Sequence, residues 1–293
     1  MDMEKKWNKS TIAGWQFVLW PSLLIMLFSF YPMIQSLFLS FQSGKGTVYS
    51  FVGIKNYVRL FSDPMFLQAV SNTLLYLVVQ VPIMLFMGLI IAYFLNMPGL
   101  RFKGFYRTAI FLPCVTSLVS YAVLFKSIFS VDGILNRILM STHLVSDPVG
   151  WLTDPIWARI VIIVAITWRW TGYNMIFYLS AMQNIDPSVY EAASIDGASK
   201  TRQFFSITTP MLKPIILFTA IISTNGTLQL FDEVVNITNG GPGNSTMTIS
   251  NYIFNLSFVY TPNFGYAATV SYAIVIMVAV LAFLQLKVGG EKD

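Results

Sequence analysis

The sequence is short of charge. Only 11% of its 293 residues are Asp, Glu, Lys or Arg, whereas 55% are hydrophobic. A soluble globular protein carries about 25% charged residues, so this composition excludes an ordinary soluble domain. The formal net charge is +5, but no basic patch with interleaved aromatic residues is present. We therefore expect no nucleic-acid partner.

Metal-binding and redox-active side chains are equally scarce. The chain has one cysteine, Cys114, and one histidine, His143. A single thiol excludes a disulfide framework and a thiolate metal site, and a single imidazole excludes a histidine cluster. The sequence also lacks a GxxxxGK[ST] phosphate-binding loop. We expect that the chain is not itself an enzyme and binds no metal or cofactor.

What the sequence does have is a series of long apolar runs. A helix that crosses a bilayer needs about 20 consecutive apolar residues. Runs of this kind cover residues 15–41, 69–95, 108–129, 156–182, 212–230 and 266–286. No Gly/Ser-rich or Pro-rich linker separates them. The sequence predicts an all-α membrane protein with about six transmembrane helices in one domain over residues 15–288, flanked by termini at 1–14 and 289–293.

The distribution of Lys and Arg predicts the orientation. Cytoplasmic connections carry an excess of these residues. One set of helix ends holds Lys5, Lys6, Lys9, Arg101, Lys103, Arg107, Lys200, Arg202, Lys213, Lys287 and Lys292. The opposite set holds only Lys45, Lys55, Arg59 and Arg137. The excess predicts that both termini and the connection between the fourth and fifth runs are cytoplasmic.

That connection contains a dense polar stretch, EAASIDGASKTRQFF, at residues 191–205. Asp186 and Pro187 are typical of a helix start, Gly197 of a helix end, and Ser199 of a second start. The pattern predicts two short helices on the cytoplasmic face. Small alanines beside an aromatic pair suit docking to another protein. An amphipathic helix resting on lipid head groups is the alternative.

The longer segment EAASIDGASKTRQFFSITTPMLKP, residues 191–214, resembles the cytoplasmic loop of binding-protein-dependent ABC importer permeases. The matching positions are Glu191, Ala192, Ala193, Gly197, Phe205, Pro210 and Pro214. The resemblance implies a type I ABC importer transmembrane fold in which the loop at 186–210 is a coupling helix that docks on a separate ATPase. The implied coupling residues are Glu191, Ala192, Ala193, Ser194, Asp196, Gly197, Ala198, Lys200, Phe204 and Phe205.

The resemblance covers nearly the whole chain. FVGIKNYVRLFSDPMF (51–66), GLRFKGFYRTAIFLP (99–113) and TNGGPGNST (238–246) are similar to the maltose-type and glycerol-phosphate-type first permeases of carbohydrate uptake. It implies a bacterial inner-membrane importer of a sugar, expected to be an oligosaccharide. Its partners would be a second, different permease, two ATPase subunits that bind ATP and Mg, and an extracytoplasmic solute-binding protein. The large extra periplasmic domain of the maltose type is absent.

Two polar clusters within the apolar runs are candidates for solute contact, because polar residues inside spans are functional candidates by default. They are TWRWTGYN (167–174) and STNGTLQ (223–229). Aromatic faces stack on sugar rings, and amides and hydroxyls bond to sugar hydroxyls. The candidates are Arg169, Trp170, Tyr173, Asn174, Ser223, Asn225, Gly226, Thr227 and Gln229. By resemblance to the maltose type, Tyr173 and Ser223 match lining residues in type.

Other lining positions differ from the maltose type. Trp170, Gly226 and Thr227 fall at lining positions with a changed residue type, and Cys114 and Leu118 make the third span apolar there. We therefore do not expect maltose held in the same way. The alternative for these clusters is structural, since aromatics favour membrane interfaces and small polar residues join helices.

Arg169 is the most unusual single residue, since an arginine inside a span costs roughly 2.5–3.5 kcal/mol on insertion scales. It could meet an anionic solute. It could also pair with an acid on the partner permease, or reach the outer interface.

Two other functions would require features that this sequence does not show. An ion-coupled secondary carrier for a polar solute would show intramembrane acids and inverted repeats, which are not recognisable in the central spans. A membrane-embedded enzyme would need acids, histidines or metal ligands near a membrane face. Asp232–Glu233 is the only adjacent acidic pair among the apolar runs, and no nucleophile accompanies it.

Overall fold

The computed structural model describes residues 9–45 and 48–289. The chain divides into two compact units, each with many contacts among its own residues. The first comprises the described residues up to Phe61 together with Asn255–Tyr272, and the second comprises Ser62–Phe254 together with the residues from Ala273 onward. The single domain predicted over 15–288 stays a prediction.

The first unit begins with one long helical stretch. Helix α1 (Lys9–Ile25), a π-helical turn (Met26–Phe30) and α2 (Tyr31–Ser40) follow without interruption. The predicted first span at 15–41 corresponds to the candidate membrane helix Gly14–Ser40. An antiparallel hairpin of β1 (Gln42–Lys45) and β2 (Val48–Phe51), with Gln42 opposite Phe51, then leads to α3 (Lys55–Leu60). The sequence did not predict this hairpin.

The second unit is organised around two long helices, α4 (Pro64–Asn96) and α8 (Pro155–Met182). Both begin in the same way. Asp63 accepts hydrogen bonds from the backbone of the first turn of α4, and Asp154 does so for α8, with proline at the first helical position. Gly88 lets the two helices approach closely, because an added Cβ would lie 3.2 Å from Asn174 Cβ. The predicted second and fourth spans, 69–95 and 156–182, lie within these two helices.

The third predicted span, 108–129, is wrong as a single helix. It consists of α5 (Lys103–Val115) and α6 (Leu118–Ile128), which meet at an angle of 99°. Thr116 and Ser117 between them have extended backbones, with ψ of 143° and 133°. Pro113 has no N–H for the helix ladder, which weakens the last turn of α5 just before the break. A short helix α7 (Ile134–Ser141) follows.

The fifth span is preceded by the predicted cytoplasmic helices. These are α9 (Pro187–Ile195), α10 (Lys200–Gln203), a π-helical turn (Phe204–Thr208) and α11 (Thr209–Met211). The stretch Lys200–Met211 then bends by 69° into α12 (Lys213–Leu228), the predicted fifth span. Short helices α13 (Asp232–Ile237) and α14 (Ile249–Phe254) and a π-helical turn (Asn255–Val259) precede α15 (Phe264–Gly289), the sixth span.

The count of membrane helices agrees with the sequence. Four described helices are long and apolar enough to cross a membrane, and the number rises to six when each bent pair is taken as one span. The helical fold with about six spans is therefore confirmed.

Candidate functional site

The second unit contains an open-sided cavity of about 420 Å³ between α4, α6, α8, α12 and α13. Its wall is mixed, with aliphatic, aromatic, amide, hydroxyl and carboxylate groups. The lining residues are Gln80, Met84, Leu118, Ile166, Trp170, Tyr173, Asn174, Ile222, Ser223, Gly226, Thr227, Gln229, Leu230, Phe231, Asp232 and Glu233. A cavity of this size and chemistry can receive a small polar solute.

The two polar clusters named from the sequence meet at this cavity. Seven of the predicted solute residues line it: Trp170, Tyr173, Asn174, Ser223, Gly226, Thr227 and Gln229. Two do not. Asn225 instead accepts a hydrogen bond of 2.6 Å from the Gln229 side chain, and Arg169 lies behind the wall.

Hydrogen-bonding groups on the wall are only partly satisfied. Thr227 Oγ1 donates to Gln80 Oε1 at 3.3 Å, and Asn174 Nδ2 donates to the carbonyl of Trp170 at 3.2 Å. Asn174 Oδ1 is buried and has no partner among the described residues. An unpaired buried amide oxygen is costly, and this one belongs to a residue of the cavity wall.

Aromatic rings form one side of the cavity. Trp170 and Tyr173 meet edge to face with their ring centroids 5.9 Å apart. Tyr173 continues onto Phe177, at 5.0 Å and again edge to face. Trp170 keeps 37% of its surface exposed, so part of its ring remains free to contact a solute.

The acidic pair Asp232–Glu233 lies at the start of α13 and lines the same cavity. Glu233 is only 5% exposed and accepts a hydrogen bond of 3.4 Å from the indole Nε1 of Trp170. Burial raises the pKa of Glu233 above its ordinary value, against smaller lowering contributions from hydrogen bonds and from Arg169. The sequence singled out the acidic pair but did not assign it to the solute site.

Other lining residues were also missed. Gln80 and Met84 come from the middle of α4, where Gln80 is fully buried. Gln80 is a polar residue inside an apolar run, and this is the signal that could have drawn attention to it. Met84 carries no such signal.

Arg169 is buried in the middle of α8. Its guanidinium lies 5.1 Å from the ring centre of Tyr121 and 5.6 Å from that of Trp170. Its Nη2 makes a long hydrogen bond of 3.5 Å to the carbonyl of Cys114, at the broken end of α5. Its Nε and Nη1 make no hydrogen bond to any described residue. The Cys114 thiol returns a hydrogen bond of 2.8 Å to the backbone carbonyl of Arg169.

The predicted coupling segment has the local structure that the sequence indicated. Asp186 accepts from the backbone N–H of Ser188 at 2.9 Å, a hydrogen bond that lowers the pKa of its carboxyl. Gly197 has a φ of +76°, a left-handed backbone that glycine adopts without strain. Ser199 accepts from the backbone N–H of Arg202 and begins α10. The predicted capping and turn residues are confirmed.

The side chains of this segment divide into an exposed and a buried set. Glu191, Ala192, Ser194, Asp196, Gly197 and Lys200 are exposed, and Ala193 and Ala198 are half-buried. The aromatic pair separates: Phe205 is 58% exposed, whereas Phe204 is buried against Tyr93 with ring centroids 4.7 Å apart. Ile195, which the sequence reading did not single out, is 86% exposed.

Gln203 holds the segment together from within. Its buried amide donates to Ser194 Oγ at 2.9 Å and to the carbonyl of Ala198 at 3.1 Å. The hydroxyl of Tyr93, near the end of α4, donates to the carbonyl of Lys200 at 3.3 Å. The segment is thus a folded element attached to α4, with its polar and small residues outward.

Comparison with known proteins gives related permeases over the full length. The chain is 58% identical over 283 residues to the lactose transport system permease protein LacF of Rhizobium radiobacter, covering 96% of this chain and 95% of that protein. It is 32% identical over 276 residues to the arabinooligosaccharides transport system permease protein AraP of Bacillus subtilis (strain 168), covering 92% and 86%.

Solved structures show the same fold. A chain of a bacterial alginate ABC transporter in complex with an alginate pentasaccharide-bound periplasmic protein matches with a TM-score of 0.84 and 25% identity, covering 98% of both chains. Residues 61–287 match the family described as binding-protein-dependent transport system inner membrane component. The chain therefore belongs to this family and is a membrane-embedded permease with the transmembrane fold of ABC importers.

Proposed function

We propose that the chain is one permease subunit of an ATP-driven importer of a neutral oligosaccharide, delivered by an extracytoplasmic solute-binding protein. The observation that carries this proposal is the cavity wall. It joins an aromatic side, formed by Trp170 and Tyr173, to amide and hydroxyl groups of α8 and α12. Relatives named for lactose and arabinooligosaccharide transport support a sugar as the solute.

The charge of the wall supports a neutral sugar. Among the described lining residues none is Lys, Arg or His, and two are acids, Asp232 and Glu233. An anionic sugar would lose hydration next to these acids without meeting a cation on this wall. A neutral sugar hydroxyl can instead donate to either carboxyl group. The similar alginate importer transports an acidic polysaccharide, so we expect a different solute here.

The remaining subunits supply the energy. We propose a second, different permease that completes the pathway, and two ATPase subunits that bind ATP and Mg and carry out hydrolysis. The segment at 186–210 would dock on one ATPase from the cytoplasmic side, with both termini on that side of the inner membrane. It lies between α8 and α12, which both line the cavity, so its movement would reach both walls.

ATP would then act by shifting a two-state population. Closure of the ATPases would displace the docked segment and turn the cavity from the cytoplasm toward the outside, where it accepts sugar. Hydrolysis of ATP would return the two permease subunits to the conformation in which the cavity faces the cytoplasm. Nothing in this cycle requires a catalytic residue on the present chain.

One observation favours a second function, an ion-coupled carrier for a polar solute. Glu233 is a buried acid on the cavity wall whose pKa burial raises, and such groups serve as proton relays in carriers. The two functions differ in their energy source, which can be measured directly.

The experiment is affinity purification of the tagged chain from native membranes in mild detergent, followed by reconstitution in liposomes. We expect a second permease and an ATPase to co-purify. Uptake of radiolabelled lactose by these liposomes should require added binding protein, and ATP in the compartment that the ATPase subunits face. It should persist when a protonophore collapses the proton gradient. A chain that purifies alone, or uptake abolished by the protonophore in the presence of ATP, would favour the carrier.

A further inference from the structure

The buried charge of Arg169 needs a structural explanation. Its guanidinium is not on the cavity wall, and two of its nitrogens have no hydrogen-bond partner among the described residues. A buried charge is costly unless compensating contacts surround it. The contacts present are two aromatic faces, those of Tyr121 and Trp170, and one backbone carbonyl. A cation over an aromatic face is attracted by the ring quadrupole, most strongly for tryptophan.

Trp170 has contacts of two kinds. The Arg169 guanidinium lies over its ring, and Glu233 accepts from its indole N–H at 3.4 Å. The same ring contributes to the cavity wall and meets Tyr173 at its edge. The indole of Trp170 therefore contacts one basic residue of α8 and one acidic residue of α13.

The charge of Arg169 also acts on the Glu233 carboxyl, where it opposes the burial that raises the pKa of that group. Both side chains are 5% exposed, so water screens their interaction little. Tyr121, which packs under the guanidinium, comes from α6, just beyond the break in the third span. This arrangement joins the broken span, the aromatic wall and α13 through a single buried cation.

We propose that Arg169 and Glu233 are positioning residues that hold the Trp170 indole in place as the sugar-stacking surface of the cavity. The inference rests on the proposed function, because it assigns a role within that solute site. This role accounts for a buried arginine inside the span. It requires no contact between Arg169 and an anionic solute or an acid of the partner permease.

The test uses the assembled transporter and two measurements. The first is the fluorescence of Trp170 alone, obtained by subtracting the emission of a matched Trp170→Phe protein in each background. Glu233→Leu and Arg169→Gln should each shift this emission to longer wavelength, because the released indole enters the open cavity. Glu233→Gln keeps an oxygen acceptor and should leave it nearly unchanged. Asp232→Asn is the matched control, since Asp232 lines the cavity but is not bonded to Trp170.

The second measurement is ATP-driven uptake of radiolabelled lactose in proteoliposomes. Glu233→Leu and Trp170→Phe should lower uptake to a similar extent, about tenfold, the effect of losing one hydrogen bond to a charged group. The double variant Arg169→Gln/Glu233→Gln should recover part of the activity that Arg169→Gln alone loses, because no unpaired charge then remains. Additive losses in this pair would contradict a shared role.

The outcomes separate the two proposals. Unchanged Trp170 emission in both Glu233→Leu and Arg169→Gln would overturn the positioning role, whatever the uptake. Full uptake by Trp170→Phe would overturn it as well. If wild-type protein takes up no lactose, the proposed solute is wrong, yet the emission still decides whether Arg169 and Glu233 hold the indole. Should Glu233→Leu fail to assemble, the comparison of Arg169→Gln with its double variant remains.

Discussion

At the scale of single residues, Gly172 shows how closely α8 approaches α5. It lies in α8 beside Arg169, and an added Cβ would lie against the backbone carbonyl of Ile110 in α5, closer than real Cβ atoms approach. Because the obstacle is backbone, it cannot rotate away. We expect Gly172→Ala to destabilise the protein by about 1–3 kcal/mol, the usual effect of overpacking, measured as a lower Tm in detergent.

The matched control is Gly104→Ala, also in a helix, where an added Cβ meets nothing within 4 Å. It should leave the Tm nearly unchanged or slightly higher, since alanine favours helix. Equal losses in both variants would mean that the contact between α5 and α8 does not limit stability.

Single residues also show what sequence reasoning reaches. Arg169 stands out because a guanidinium in an apolar run needs a reason. Its guanidinium faces Tyr121, and its charge acts on Glu233. Both residues belong to segments far away in the chain, and periodicity holds no information about such pairing. Likewise Asp232–Glu233 was noticed as an acidic pair, but only the fold brings Glu233 to Trp170.

At the scale of elements, local signals were sufficient where the structure is locally determined. The capping roles of Asp186 and Ser199 and the left-handed backbone of Gly197 follow from short-range chemistry. The break at Thr116–Ser117 has one local signal, Pro113, but a proline does not by itself predict a break, because Pro82 lies inside the continuous helix α4. Apolarity reports the surroundings of a segment and not its direction, so an unbroken apolar run conceals a bend of 99°.

The coupling segment carries its own prediction. Glu191→Lys reverses an exposed charge on α9 without touching the buried contacts of Gln203. Gly197→Pro imposes a negative φ where the backbone has +76°. If the segment couples to an ATPase, each variant should lower ATP-driven uptake by about 5- to 150-fold, the range of typical coupling free energies, while the yield of folded chain changes little.

Gly197→Asn serves as the control, because asparagine tolerates the left-handed region and nothing lies within 4 Å of the added Cβ. It should retain most of the uptake. Normal uptake by both Glu191→Lys and Gly197→Pro would show that the coupling assignment is wrong.

At the scale of the whole molecule, composition and hydropathy were enough to predict the membrane fold. The two polar clusters were enough to predict much of the cavity lining. Seven of nine predicted solute residues line it because α8 and α12 each present one polar face. The contributions of α4 and α13 were missed. Gln80 carries a signal as a polar residue inside an apolar run, but tertiary packing alone brings it and Glu233 to the same cavity as α8 and α12.

Orientation in the membrane is the remaining property of the whole molecule, and cysteine labelling tests it. Cys114→Ser first removes the only native thiol and keeps a donor for the Arg169 carbonyl. Single cysteines are then placed at two exposed positions, Leu144 and Glu191. On intact cells a membrane-impermeant maleimide should label the cysteine at 144, whereas the one at 191 should react only after permeabilisation, because the Lys and Arg excess places that segment inside. The reverse pattern would put the coupling segment on the side of the membrane where no ATP is available, and docking on an ATPase would then be impossible.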